Sequence, residues 1–189
     1  MSRLPVLPLD AMSHDQRRVY DDIAGKKGRP VVGPLLAALQ RPSLAEPWSR
    51  MGEAIRAQTS IPKHLSSIAV LQTTRHMNCR YMWAVQIPLA NKAGLREDII
   101  ESIRLGRKPD NLDADQMKIW RFCTELLETN AVTDAAYAAV KDSWGTVGAV
   151  DLTATIGYYV MTSFTVAAHE LEPPEGYPAD LPVPAPSPA

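Results

Sequence analysis

The stretch Ile61–Leu95, IPKHLSSIAVLQTTRHMNCRYMWAVQIPLANKAGL, decides how the rest of the chain is read. Pro62 suits a first helical turn, and Leu65, Ile68, Ala69 and Leu71 recur at the spacing of one helix face. Asn78 has the chemistry of a helix cap and Gly94 that of a terminator. The spacing therefore predicts a second helix from Cys79 to about Ala93. Pro88 lies inside it and removes the donor that would meet the Ala84 carbonyl, which predicts a kink. At about 100° per residue, Cys79, Met82 and Gln86 fall within roughly 60° of one another, with His76, Trp83 and Ala90 alongside. Tyr81 and Val85 fall on the other side. A thiol, an amide, an imidazole and an indole thus gather near one helix N-terminus, and this face is the candidate site. The plainer reading stands beside it. Met and Trp at helical spacing are ordinary core residues, and an isolated His is commonly a hydrogen-bonded structural one.

Helix signals continue in both directions. Ser13 and Gln16 fit a capping box, followed by a short helix over Arg17 to Ile23. Gly25, Gly28, Pro30, Gly33 and Pro34 then read as a loop. Its text, GKKGRPVVGP, lacks the spacing of a phosphate-binding loop. Ser43 can cap a helix to about Ala57, with Pro47 in its first turn. Downstream, helices are predicted over Glu97 to Arg104, Asp113 to Thr129, Thr133 to Trp144, and Gly148 to about His169. Asp113 and Thr133 serve as N-caps and Gly145 as a stop. The β-branched run Val147–Thr155 is the best strand competitor, but Ala, Leu and Met surround it. The fold class read from the residues is all-α.

Composition bounds the rest. The chain has 189 residues, 46% apolar and 22% charged, with a formal net charge of −1. That excludes a wholly disordered chain, and the absence of a basic excess argues against nucleic acid as a partner. No window has the run of about 18 apolar residues that a membrane span needs, and the N-terminus lacks the apolar core of a signal peptide, so a cytoplasmic location is expected. Cys79 and Cys123 are too few and too far apart for a disulfide framework or a four-ligand zinc site. The four histidines show no metal-ligand spacing, and neither a Rossmann glycine pattern nor a nucleophile elbow is present. Seven of the sixteen prolines fall in residues 173–189. The division expected is a helical domain over 1–172 and an extended proline-rich tail over 173–189.

Three pieces carry a family resemblance. YDDIAGKKGRPVVGPLLAALQRPSLAEPWSRMGEAIR, CRYMWAVQIPLANKAGL and DLTATIGYYVMTSF together resemble, in order and spacing, the carboxymuconolactone decarboxylase and AhpD-like family over roughly Leu7 to Pro174. The resemblance implies a compact all-α bundle that assembles as trimers or hexamers. The family's peroxidase branch uses the spacing E-x11-C-x2-C-x3-H, which lands on Ser67, Cys79, Met82 and Gln86. Only the first cysteine is retained. The decarboxylase-like branch has Glu at the position of Met82 and His at that of Gln86, and this chain has neither.

The replaced positions restrict the chemistry. A peroxidase of that type needs a second thiol to resolve the first, and Met82 has no ionisable proton. Met and Gln cannot move a proton as Glu and His do, but Gln86 can hydrogen-bond a substrate carbonyl or a developing oxyanion. Proton transfer is then expected of His76 or Cys79, the latter with a lowered thiol pKa if it is partly exposed. Ser67, Arg75, Tyr81, Met82, Trp83 and Tyr158 are the expected substrate-binding residues, Arg75 as a carboxylate partner. The expectation is a cofactor-independent lyase- or isomerase-like enzyme for a small carbonyl, lactone or aromatic-derived acid. Metal and cofactor are not expected, and the protein is expected to be a homo-oligomer. Two other classes stay open: a non-catalytic small-molecule-binding or assembly protein of the same fold, and a redox protein using Cys79 alone.

Overall fold

The computed structural model describes residues 2–4, 7–28, 31–177 and 180–182, and, within α1, the backbone only of Lys27. Among the described residues every regular element is helical. A 3-10 turn, Leu9–Ala11, precedes α1 (His14–Lys27), α2 (Pro34–Ala38), α3 (Pro42–Ala57) and α4 (Lys63–His76). These are followed by α5 (Arg80–Lys92), α6 (Glu97–Arg104), α7 (Ala114–Thr129) and α8 (Asp134–His169). The run Val147–Thr155 is helical, as the surrounding Ala, Leu and Met favour.

The capping chemistry works where expected. Ser13 and Gln16 form a reciprocal capping box, as do Asp113 and Gln116, and Thr133 accepts from the Ala136 amide. Other boundaries differ for identifiable reasons. α1 runs through Gly25 to Lys27, longer than its apolar pattern suggests. α2 begins at Pro34, the last residue of the expected loop, and was not anticipated; Pro34 follows Gly33 at a position that favours helix initiation. In α3, Arg41 rather than Ser43 is the N-cap and Pro42 opens the helix, so Pro47 sits in the interior. Pro62 is the N-cap of α4 rather than part of its first turn.

Asn78 closes α4 instead of opening α5. It adopts a left-handed conformation (φ 48°), which Asn tolerates better than most residues. Its amide donates to the Arg75 carbonyl and the Cys79 amide to that of Thr74, the paired bonds of a Schellman turn. Cys79 becomes the N-cap of α5, which continues through Pro88.

α4 is the hub and packs against α5, α6, α7 and α8. Eight of its fourteen residues are buried, among them Gln72, Thr73 and Thr74, so it is covered on nearly every side. Two apolar cores result. One joins α4, α5, α6, α7 and α8 through Leu65, Ile68, Leu71, Trp83, Ile99, Ile119 and Leu152. The other joins α1, α2 and α3 to α5 and the last part of α8 through Val19, Leu39, Trp48, Met82 and Tyr159. The residues after α8 return across the domain. Arg104 donates to the Asp180 carbonyl, and Leu181 is buried in the first core. Residues 183–189 lie outside the described residues.

α8 is two helices joined at Gly145, whose φ of 69° and ψ of −179° lie in a region essentially reserved for glycine. The expected stop at this residue is therefore a sharp change of direction within one long element.

Candidate functional site

The helix register places the second core's polar groups around one cavity of about 530 Å³. α3 contributes Trp48 and Arg56, α5 contributes Tyr81, Met82, Val85, Gln86, Pro88 and Leu89, and α8 contributes Tyr158 and Thr162. Val32, Pro34, Leu35, Pro174 and Tyr177 complete the lining. Trp48, Gly52 and Arg56 recur every four residues, so they form one stripe of α3 facing α8. Gly52 is required there: a Cβ would collide with the Tyr158 hydroxyl and stand 3.0 Å from the Arg56 guanidinium. The missing side chain lets the Tyr158 phenol and the Arg56 cation meet.

Arg56 donates to the Tyr158 hydroxyl at 3.4 Å, and its guanidinium carbon lies 5.9 Å from the centre of that ring. The residue as a whole reaches solvent, and a guanidinium stays charged throughout the accessible pH range. Tyr158 packs edge-on against Tyr159, with centroids 5.4 Å apart. The Tyr159 hydroxyl donates to Gln86 Oε1 at 3.3 Å. With its oxygen so engaged, the Gln86 amide nitrogen is the group available as a donor. Burial pushes the Tyr159 phenol up to about 12, so it stays protonated at neutral pH. A cation, a phenol and an amide donor thus converge on an otherwise apolar cavity.

A second, more apolar cavity of about 370 Å³ lies against it and shares Val32, Tyr81 and Pro174 with it. Ser2, Leu4, Leu7, Leu36, Ala37 and Leu171 are among its walls. The polar groups converge on the larger cavity, which is therefore the candidate site.

Of the residues singled out in the sequence, Gln86, Met82, Tyr81 and Tyr158 line this cavity. The face of α5 that does so is turned by about 90° from the one expected, toward Tyr81 and Val85. Trp83 points into the first core, fully buried, with its indole nitrogen unpartnered among the described residues. Cys79 is buried. Its thiol is pushed up, burial outweighing the neighbouring backbone amides of Met82 and Tyr81 and the Ser163 hydroxyl. That is opposite to the lowering a partly exposed helix N-terminus would give. His76, in the last turn of α4, is exposed and outside the lining. Ser67 donates to the Lys63 carbonyl within its own helix, at 2.8 Å. Arg75 donates to the Arg104 carbonyl at 2.9 Å and closes the end of α6. Cys79 and Cys123 are both free and belong to different cores.

Sequence reasoning missed Arg56, Trp48, Thr162 and the part played by Tyr159. The i, i+4, i+8 spacing of Trp48, Gly52 and Arg56 was the available signal for the first two. Thr162 follows Tyr158 by one turn, but nothing in the sequence shows that this face meets α3. Among the described residues no group of three or more His, Cys, Asp or Glu could hold a metal ion, and no helix is long and apolar enough to cross a membrane.

No family model matches the sequence, and no curated protein matches it. Solved structures do. An uncharacterised peroxidase-related protein with an alkylhydroperoxidase AhpD core, from Ralstonia eutropha JMP134, superposes with a TM-score of 0.74 at 17% identity. The match covers 92% of this chain and 93% of that one. The debrominase Bmp8 superposes with a TM-score of 0.69 at 15% identity, over 90% of this chain and 91% of that one. The chain has the AhpD-like all-α fold.

Proposed function

We propose that this protein is a cofactor-independent enzyme, lyase- or isomerase-like, acting on a small carbonyl compound, lactone or aromatic-derived acid in the cavity between α3, α5 and α8. The convergence of the Arg56 guanidinium, the Tyr158 phenol and the Gln86 amide on an apolar cavity carries this reading. Arg56 is suited to pair with a carboxylate, or with the oxygen of an enolate, through its planar fork of donors. Gln86 Nε2 donates to an oxygen on which charge develops, and the Tyr159 hydroxyl holds the amide in that orientation. Trp48, Val85 and Leu89 supply the apolar surround that strengthens both interactions. Among the described residues the lining contains no His, Asp, Glu or Lys. The proton-transfer role expected of His76 or Cys79 therefore moves in this proposal to the Tyr158 hydroxyl, which Arg56 polarises. That two structures of the same fold are described as peroxidase-related and as a debrominase supports an enzyme on this scaffold. The covered, poorly acidic Cys79 gives no support to a single-thiol redox role.

The scarcity of titratable groups around the cavity also suits a ligand-binding protein, and one experiment separates the two. Purified protein is incubated with a small-metabolite extract and the mixture read by untargeted mass spectrometry, with Arg56→Met, Gln86→Ala and heat-inactivated controls. Consumption of an acid or carbonyl compound by the unaltered protein, abolished by Arg56→Met, supports the enzyme. A compound that is retained but not consumed transfers the site to a binding role. Neither consumption nor retention overturns both readings.

A further inference from the structure

The smaller cavity, about 370 Å³, differs in chemistry from the candidate site it adjoins. Leu4, Leu7, Leu36, Ala37 and Leu171 make up most of its interior. Apart from Tyr81, its polar residues are Ser2, Gln40 and Glu172, all exposed, which puts them at the rim. Among the described residues its walls hold no cation, and their only charge is the Glu172 carboxylate. A cavity lined in this way is poorly hydrated and takes up apolar groups favourably. The short helix α2 partitions it from the larger cavity. Pro34 and Leu35 line the larger one, and Leu36 and Ala37 the smaller. The partition ends where α2 begins, and there Val32, Tyr81 and Pro174 belong to both cavities. Gly33 sets the position of this junction. Its φ of 63° and ψ of −138° lie where glycine is strongly favoured, and a Cβ there would collide with the Tyr81 hydroxyl. Bare backbone at Gly33 thus lets Tyr81 stand between the two cavities.

We propose that the two cavities form one elongated site for a carboxylic acid with an unbranched alkyl chain, its carboxylate at Arg56 and its chain bending past Tyr81 into the smaller cavity. The inference rests on the reading of Arg56 as a carboxylate partner, and it narrows the class of acid. Charge fixes the direction of binding. The Arg56 guanidinium belongs to the larger cavity and the Glu172 carboxylate to the rim of the smaller. An acid bound in the reverse sense would bring two anions together and leave its carboxylate far from the cation. The chain finds Leu4, Leu7, Leu36 and Leu171, which offer it burial and no competing hydrogen bond. An alkyl chain also fits the junction, because it bends at every carbon, whereas a rigid ring system cannot follow a path around the Tyr81 side chain.

Ligand-detected NMR titration of the full chain with butanoate, hexanoate, octanoate and decanoate tests this. Affinity should rise roughly fourfold for each methylene that enters the smaller cavity, the gain that burying a CH₂ group gives. Ala37→Trp fills that cavity from a residue outside the larger one. It should flatten the rise and leave butanoate binding unchanged. Arg56→Met should weaken every acid by about tenfold or more and keep the rise. Arg56-dependent binding with equal affinity for all the acids overturns the elongated site and leaves the proposed function standing. A rise that survives Ala37→Trp places the chain elsewhere and overturns it as well. Binding indifferent to Arg56→Met, or no binding, overturns the carboxylate reading of Arg56 and this inference with it. Should Ala37→Trp fail to fold, Leu36→Trp obstructs the same cavity and the same comparison decides.

Discussion

Tyr159 links stability to the site. Its phenol ionises near 10 in an exposed setting and near 12 here, because burial disfavours the charged form. Folding therefore favours the neutral side chain. The contribution is whole below about pH 10 and is lost as pH rises toward about 12, amounting to roughly 2–3 kcal/mol over that interval. Tyr159→Phe has no such ionisation, so across that window the unaltered protein should lose its advantage over the variant and become the less stable of the two in denaturant titrations. At neutral pH the same variant should cost about 1 kcal/mol, from leaving Gln86 Oε1 without its donor. The thiols give a second residue-scale prediction. Cys79 and Cys123 are both buried and both pushed up in pKa by that burial. A disulfide reagent at pH 8 should modify neither in the native protein and both in denaturant. Rapid native modification of Cys79 would restore it as a reactive group.

At the scale of elements, the informative contrast is between two glycines on helices. Gly145 combines a positive φ with an extended ψ, and nothing crowds its missing side chain. Gly145→Ala therefore introduces backbone strain without a clash and should destabilise by about 1–3 kcal/mol. Gly25 sits exposed within α1, with open space around it and ordinary helical geometry. Gly25→Ala should stabilise by about 0.5–1 kcal/mol, because alanine loses less backbone entropy on entering the helix. Thermal unfolding of the two variants should thus move in opposite directions. Equal effects would mean that the break at Gly145 relaxes freely.

For the whole molecule, the return of the chain after α8 is the feature to test. Leu181 lies far along the sequence from its neighbours in the first core, and it is buried there. Leu181→Ala should cost about 2 kcal/mol and lower Tm by roughly 4–8 °C. A chain ending at Glu172 should lose at least as much, and would also remove Pro174 and Tyr177 from the cavity wall. A truncated protein with an unchanged Tm would make the proline-rich segment a passenger. This segment reads as an extended tail from its composition. Composition does not say that one leucine within it finds a core.

The boundary between what is local and what is not runs through particular residues. Helix periodicity, the capping boxes at Ser13 and Asp113, and the break at Gly145 depend on side chains reacting with their own backbone within a few positions, so the sequence by itself determined the all-α class and most of the helix order. The order of its motifs also pointed to the AhpD-like arrangement. Asn78 shows the limit of such reasoning, since the same side chain can open a helix or close one, and the packing of α4 against α5 selects the left-handed close. Within the site, Gln86, Met82, Tyr81 and Tyr158 were legible because they lie on the motif-bearing segments. Arg56 was not, because its chemistry depends on Gly52 letting α8 approach α3. His76 and Cys79 are adjacent to the motif in sequence, yet α4 ends with one at the surface and α5 begins with the other covered. Which side chains share a cavity is set by the rotation of each helix about its axis, and that rotation follows from the burial of both cores together. Only the tertiary structure decides it.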